Sequence, residues 1–138
     1  RDGCRTPMPW HSKKQHAGFS STKPWLPVKD PQIKNAVDVQ ENDPSSVLNF
    51  YKEMISFRKN QKNIRNGKIA FIETNESLLF FTRGNKKEVA CIFNLSKNPL
   101  QLKIEKYEEI IGSPKQKAKF AGKDLYLEGN GFIFLKLK

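Results

Sequence analysis

The chain has 138 residues, and 25 lysines and arginines against 14 aspartates and glutamates give a formal net charge of +11. That length supports one domain, or one small domain with an appendage, and no run approaches the ~20 apolar residues that span a bilayer. The excess charge is mostly lysine scattered along the chain, with only Arg1, Arg5, Arg58, Arg65 and Arg83 offering the planar fork suited to phosphates and base edges, so neither a membrane nor a nucleic acid is the expected partner.

Residues 1–43 show no helical or strand period. The opening RDGCRTPMPW is followed by His16-Ala17-Gly18-Phe19 and by Lys23-Pro24-Trp25-Leu26-Pro27-Val28. The prolines each fix a backbone angle, and Trp10, Phe19 and Trp25 are costly to leave in water. An ordered, aromatic-lined loop is expected, with at most a short turn or strand between Val28 and Val39. Cys4 and Cys91 lack C-x-x-C spacing, and His11 and His16 lie five apart without a third ligand. No disulfide framework, metal site or cofactor is expected.

Asp43-Pro44-Ser45-Ser46 is a helix start, with Asp43 suited to the N-cap and Pro44 to the first helical position. Val47, Leu48, Tyr51, Met54, Ile55 and Arg58 follow at helical spacing, and the pattern predicts an amphipathic helix over 44–60. Phe50 and Phe57 widen its apolar stripe beyond what one edge helix needs. Either it packs on the chain behind it, or it leaves an exposed apolar patch through which copies self-associate.

After Asn66-Gly67 the period changes to about 2. Strands are predicted over 68–74, 77–83, 88–95, 100–104, 108–111, 118–120, 123–127 and 131–137, with hairpin chemistry at Arg83-Gly84-Asn85-Lys86 and Glu128-Gly129-Asn130-Gly131. The fold class is therefore mainly β: an antiparallel β-sandwich of Greek-key type, with up to eight strands, preceded by one amphipathic helix and a long loop. Phe71, Phe80, Phe81, Phe93, Phe120, Phe132 and Phe134 are expected to supply much of its core.

Taken in order, R-D-x-x-R-T-P-M-x-W, H-A-G-F and P-W-L-P-V resemble the segment after the last barrel strand in α-glucosidases of glycoside hydrolase family 13, the α-amylase superfamily, oligo-1,6-glucosidases among them. The likeness continues through Ile55-Ser56-Phe57-Arg58-Lys59 and the β-rich tail. It implies that residues 1–66 are the end of a (β/α)8 catalytic barrel (loop 1–43, last barrel helix 44–60) and that 67–138 are the family's C-terminal β domain. It also implies a parent enzyme that hydrolyses terminal α-linked glucose from small saccharides by a retaining mechanism. That mechanism needs a carboxylate nucleophile and a carboxylic acid about 5–5.5 Å apart. The resemblance places both on strands upstream of Arg1, so this segment is expected to hold no catalytic residue and to be inactive alone.

What the resemblance gives the segment is substrate grip. Arg1 matches the arginine that the family places in the −1 subsite against the hydroxyls of the terminal glucose, and Arg5 is the second arginine of the same motif, expected at the substrate loop and suited to scaffolding it. Pro9 and His11 stand where many relatives carry a polar and an acidic residue, so linkage preference is not specified. Two competing readings are a non-catalytic carbohydrate-binding or structural module and a catalytically dead glucosidase-like protein. The first would need exposed Trp or Tyr on strand faces, where only Tyr107 and Tyr126 occur. A secretory leader would lie upstream of a piece like this one; the compartment stays open, with cytoplasm the expectation.

Overall fold

The computed structural model describes residues 1–112 and 115–138. The chain divides into two compact units, Arg1–Met54 and Ile55–Lys138.

The first unit holds two 3-10 turns, Asp2–Cys4 and Gln15–Gly18, and the short helices α1 (Asp30–Ile33) and α2 (Val37–Glu41); helix α3 (Val47–Asn60) begins in it. The weak alternation from Val28 to Val39 thus folds as two single-turn helices and contains no strand. Pro31 sits in the first turn of α1, and the Lys29 amide donates to Gln32 Oε1 at 2.8 Å, which closes that turn locally. The long helix starts one turn later than Asp43-Pro44 suggests. The Asp43 carboxylate accepts the Ser45 amide at 2.8 Å and the Ser45 hydroxyl at 2.6 Å, holding the chain in a side-chain-closed turn that competes with helix. Ser46 then takes the capping role, its Oγ accepting the Asn49 amide at 3.2 Å.

In the second unit, after the short helix α4 (Lys62–Asn66), every predicted strand forms: β1 (Ile69–Ile72), β2 (Leu78–Arg83), β3 (Val89–Asn94), β4 (Leu100–Lys103), β5 (Glu109–Ile111), β6 (Ala118–Ala121), β7 (Asp124–Leu127) and β8 (Phe132–Lys136). They make a five-stranded sheet in the order β1-β2-β3-β8-β5 and a three-stranded sheet in the order β4-β7-β6, antiparallel throughout. The chain changes sheet after β3, β4, β5 and β7, which is how short strands build a sandwich with non-local pairing.

The side-chain period of two decides what lies between the sheets. Ala90, Ile92, Ile133 and Leu135 of the larger sheet meet Leu125 and Leu127 of the smaller one, with Ile104, in one buried cluster. Each fully buried Leu or Ile contributes about 1.5–3 kcal/mol of transfer free energy. Of the seven phenylalanines expected in the core, Phe80 and Phe120 pack against this cluster, and Phe134 is buried but on the opposite face of its strand from Ile133 and Leu135. The register puts Phe71 opposite Phe81, Phe81 opposite Cys91 and Phe93 opposite Phe132, so these rings, with Phe134, alternate away from the core onto the outer face. There they form a ladder, with centroid spacings of 5.8 Å for Phe71–Phe81, 5.9 Å for Phe81–Phe93 and 6.1 Å for Phe93–Phe132. Phe57 of α3 closes on Phe134 at 4.8 Å. Ring content marks these stretches as strands; only the alternation with Ile, Leu and Ala tells which face is inside.

The stretch Glu128–Gly131 is also corrected. Its turn chemistry is real, with Asn130 at φ +56° and the Gly131 amide donating to the Glu128 carbonyl at 2.9 Å, but it joins β7 of one sheet to β8 of the other and closes no hairpin. Asn94, buried to 2% exposure, ties this crossover to the one after β3: its Nδ2 donates to the carbonyls of Asn98 (2.7 Å) and Glu128 (2.9 Å), and its Oδ1 accepts the Ser96 amide and hydroxyl.

Candidate functional site

The first unit carries the residues singled out for substrate. Its opening five residues wind into one 3-10 turn, the Cys4 amide donating to the Arg1 carbonyl at 3.1 Å and the Arg5 amide to the Asp2 carbonyl at 3.0 Å. Arg1 and Arg5 are thereby brought to the two ends of the same turn, and both are exposed. Among the described residues neither guanidinium is engaged in an ion pair or a side-chain hydrogen bond. The loop is held by other groups: Thr6 Oγ1 accepts Gln32 Nε2 at 2.7 Å, the Pro9 carbonyl accepts the Val37 amide at 2.9 Å, and the Trp10 carbonyl accepts the Asp38 amide at 3.2 Å.

Asp38 is the main anchor. Its carboxylate accepts the Ser12 amide at 2.9 and 3.0 Å and the Ser12 hydroxyl at 3.0 Å, and His11 Nδ1 stands 4.0 Å away. Partial desolvation pushes the Asp38 pKa up, but the Ser12 amide and hydroxyl, the Val39 amide and the nearby His11 together outweigh it and hold the carboxyl below the usual aspartate range. That is the wrong direction for a proton donor to a glycosidic oxygen, which needs a raised pKa. Asp38 is an ionised fastener. No short-range signal reveals it, since Ser12 lies 26 residues away.

Between the anchors, the H-A-G-F motif adopts a conformation that L-residues avoid. His16, Ala17 and Gly18 all have positive φ, at 48°, 53° and 69°, a left-handed run that costs roughly 1–2 kcal/mol for each non-glycine residue. Ala17 is buried and its carbonyl accepts the His11 amide at 2.9 Å; a Cβ on Gly18 would stand 2.8 Å from the His11 ring. The run turns His16 toward a cleft of about 550 Å³ that it lines with Ala17, Pro24, Trp25, Val28 and Ile33. Trp25 is 80% exposed there. A second cleft of about 360 Å³ lies beside the opening turn, lined by Asp2, Gly3, Thr6, Leu26 and Gln32 among others. Arg1 and Arg5 line neither.

The two cysteines differ sharply. Cys4 is exposed, whereas Cys91 lies within the larger sheet, where burial pushes its thiol up to about 12 against a small opposing effect of Arg83. A thiol so protonated is no nucleophile at neutral pH. Among the described residues no three His, Cys, Asp or Glu side chains gather as a metal site would need, and no helix is long and apolar enough to cross a membrane.

Residues 1–67 match the family model described as alpha amylase, catalytic domain. A probable α-glucosidase of Rhizobium meliloti is 52% identical over 98 residues, which cover 70% of this chain and 17% of that protein. A probable oligo-1,6-glucosidase of Bacillus subtilis is 38% identical over 99 residues, 70% of this chain and 18% of its own length. Among solved structures, an α-glucosyl transfer enzyme superposes on the whole chain with a TM-score of 0.89 at 38% identity, over 26% of its own length. The trehalulose synthase of Pseudomonas mesoacidophila superposes on 99% of the chain with a TM-score of 0.81 at 27% identity, again over 26% of its length. The chain thus spans less than a fifth of these curated relatives and about a quarter of the solved ones.

Proposed function

Because the chain belongs to glycoside hydrolase family 13, the α-amylase family, we propose that it is the C-terminal part of an α-glucosidase that releases terminal α-linked glucose from small saccharides by a retaining mechanism. The observation that carries this reading is that the likeness to glucosyl-active enzymes runs through loop, helix and sandwich alike, over the full length of the chain. In this reading the nucleophile and the acid belong to the rest of the enzyme, and this part contributes a substrate-facing loop and a structural β domain. The depressed pKa of Asp38 agrees with it, since the best-connected carboxylate of the loop is committed to structure.

Arg1 and Arg5 are then the groups of this part that meet substrate. An exposed guanidinium with no tie to its own chain is free to fork hydrogen bonds to a sugar hydroxyl and to a carboxylate of the missing part. The test uses the intact enzyme. Arg1→Ala removes a charge-assisted hydrogen bond of ~1.5–3 kcal/mol and strands its carboxylate partner, so kcat/KM on maltose and isomaltose is expected to fall roughly 10²–10³-fold with little change in thermal midpoint. A change below about threefold would remove Arg1 from the substrate site and leave the assignment to Arg5. The chain alone is expected to turn over no aryl α-glucoside.

A second reading follows from the likeness to an α-glucosyl transfer enzyme. A covalent glucosyl intermediate can be taken by a sugar hydroxyl in place of water. The ratio of transfer product to free glucose at high maltose distinguishes the two.

A further inference from the structure

The expectation that no membrane is a partner rests on cations scattered along the chain, and the fold gathers part of them. Arg58, Lys59, Lys62, Arg65 and Lys68 follow one another with no acidic residue between Glu53 and Glu73, from the end of α3 through α4 to the start of β1. The tip of the β2–β3 hairpin adds Lys86 and Lys87. It is clamped against the same segment: the Gly84 amide donates to the Lys68 carbonyl at 3.0 Å, Arg83 Nη2 donates to the Ile64 carbonyl at 2.6 Å, and a Cβ on Gly67 would stand 2.4 Å from the Gly84 backbone. All these lysines and Arg58 and Arg65 are exposed, and among the described residues none of them is in an ion pair. Helix electrostatics account for two of them only. Arg58 and Lys59 sit in the last turn of α3, where the dipole favours them, but Lys62 opens α4, at the end where a cation is disfavoured. Lys87 has φ +61°, a conformation that glycine or asparagine adopts at less cost. Like charges crowded at positions that local structure disfavours point to a negative partner outside the chain.

We propose that this cluster, with Ile69 and Phe71, docks the chain on a membrane surface rich in anionic lipid. Charge alone would serve a nucleic acid or an acidic protein as well; the two apolar side chains select the lipid. The β1–β2 register sets Ile69 opposite Arg83 and Phe71 opposite Phe81, so both leave the edge strand on the side of the sheet where α4 lies. They are 47 and 68% exposed. Beside lysines, a phenyl ring enters the headgroup boundary of a bilayer, whereas against a duplex backbone or a carboxylate surface it gains nothing. Most of the cations are lysines, point charges on flexible stems that fit a fluid layer of headgroups without the fixed geometry that arginine forks read. The larger clefts of the molecule are lined by other residues, so the cluster suits a broad anionic surface and not a small anion held in a pocket.

The test is sedimentation of the full chain with vesicles. Binding is expected to phosphatidylcholine vesicles containing one-third phosphatidylserine and not to phosphatidylcholine alone, and it is expected to fall at least tenfold between about 0.05 and 0.5 M salt. Lys62→Gln with Lys86→Gln should weaken it roughly 10- to 30-fold. Lys13→Gln with Lys34→Gln, the same loss of charge in unit Arg1–Met54, should change it less than about threefold. Phe71→Ala should weaken vesicle binding about fivefold and leave any binding to duplex DNA unchanged. Circular dichroism melts check that each variant keeps the sandwich; where Phe71→Ala disturbs it, Ile69→Thr is read in its place. Failure of the wild-type chain to bind the anionic vesicles at low salt overturns the proposal. So does equal weakening by the two lysine pairs, since net charge and not this cluster would then be at work. Indifference to Phe71→Ala overturns the choice of lipid and hands the cluster to a nucleic acid or an acidic protein. Competition by inorganic phosphate at matched ionic strength also overturns it, because a single phosphate and not a surface would then be the ligand.

Discussion

The two units solve the same problem by different means. Unit Ile55–Lys138 buries Ile92, Leu125, Leu127, Ile133 and Leu135 completely between two sheets, whereas the buried apolar residues of unit Arg1–Met54 are the small Pro7, Ala17 and Ala36. The first unit is instead stitched by polar bonds across loops, Ser12 to Asp38, Gln32 to Thr6, and Asn49 Nδ2 to the carbonyls of Gln40 and Asp43. It leaves Trp10, Phe19, Trp25, Val47 and Tyr51 exposed. Such bonds add about 0.5–1.5 kcal/mol each and fix shape, but the free energy that offsets backbone entropy comes mainly from apolar burial. The β unit carries its own core; the loop unit holds its shape by polar bonds and leaves its large apolar side chains exposed.

That contrast can be broken or sharpened by experiment. The largest effect is expected in the sandwich, where Leu125→Ala should cost about 2–5 kcal/mol in urea melts followed by circular dichroism; a loss below 1 kcal/mol would show that the two sheets do not share a cemented core. Next, thiol labelling should separate the units outright. Cys4 reacts with an aromatic disulfide reagent in the native chain, while Cys91 reacts only on unfolding, because it is buried and its thiol is pushed up to about 12. Since that folded pKa lies above the unfolded value of ~8.5, its contribution to stability is intact below pH 8 and is lost as pH rises toward 12.

The loop unit should fail at the opposite end of the scale. Asp38 has a depressed folded pKa, so what it contributes is present above the unfolded value of ~3.9 and is lost as pH falls through the lower folded value. Amide exchange at Ser12, Val37 and Asp38 is expected to accelerate in that acid range, and Ser12→Ala should do the same at neutral pH without moving the melt of the sandwich. If both units lose protection together, they are one cooperative body. The smallest effect is expected for Trp25→Ala, within about 0.5 kcal/mol, because an indole 80% exposed has little contact to lose.

The same contrast explains what was legible in the sequence. All eight strands were visible because β-branched and aromatic alternation is a local signal, and Gly and Asn marked the turns between them. Which strands share a sheet was not, since Glu128–Gly131 has the residues of a tight turn whether it closes a hairpin or crosses between sheets. The phenylalanine ladder was misplaced for a related reason: ring content is readable residue by residue, while inside and outside are set by partners that the register supplies. In the loop unit the motifs were recognisable and the geometry was not. Arg1 and Arg5 could be named only through the resemblance of their motif to a family, and the left-handed run at His16 and Ala17 had only Gly18 to announce it, while the Ser12–Asp38 fastener depends on a contact across 26 residues.

Asn94 gives the sandwich an ageing point. Both hydrogens of its amide nitrogen are committed to carbonyls, one four residues away and one 34 residues away, and its oxygen is committed to Ser96. Hydrolysis of that one amide to a carboxylate exchanges a double donor for an acceptor, and the carbonyls of Asn98 and Glu128 would then face negative charge at a position only 2% exposed. The seam between the two crossovers would open without any change in chain length or core composition. While the sandwich stays folded, burial shields the amide from that chemistry, so the damage accrues only to molecules that have already opened once and marks them against closing again.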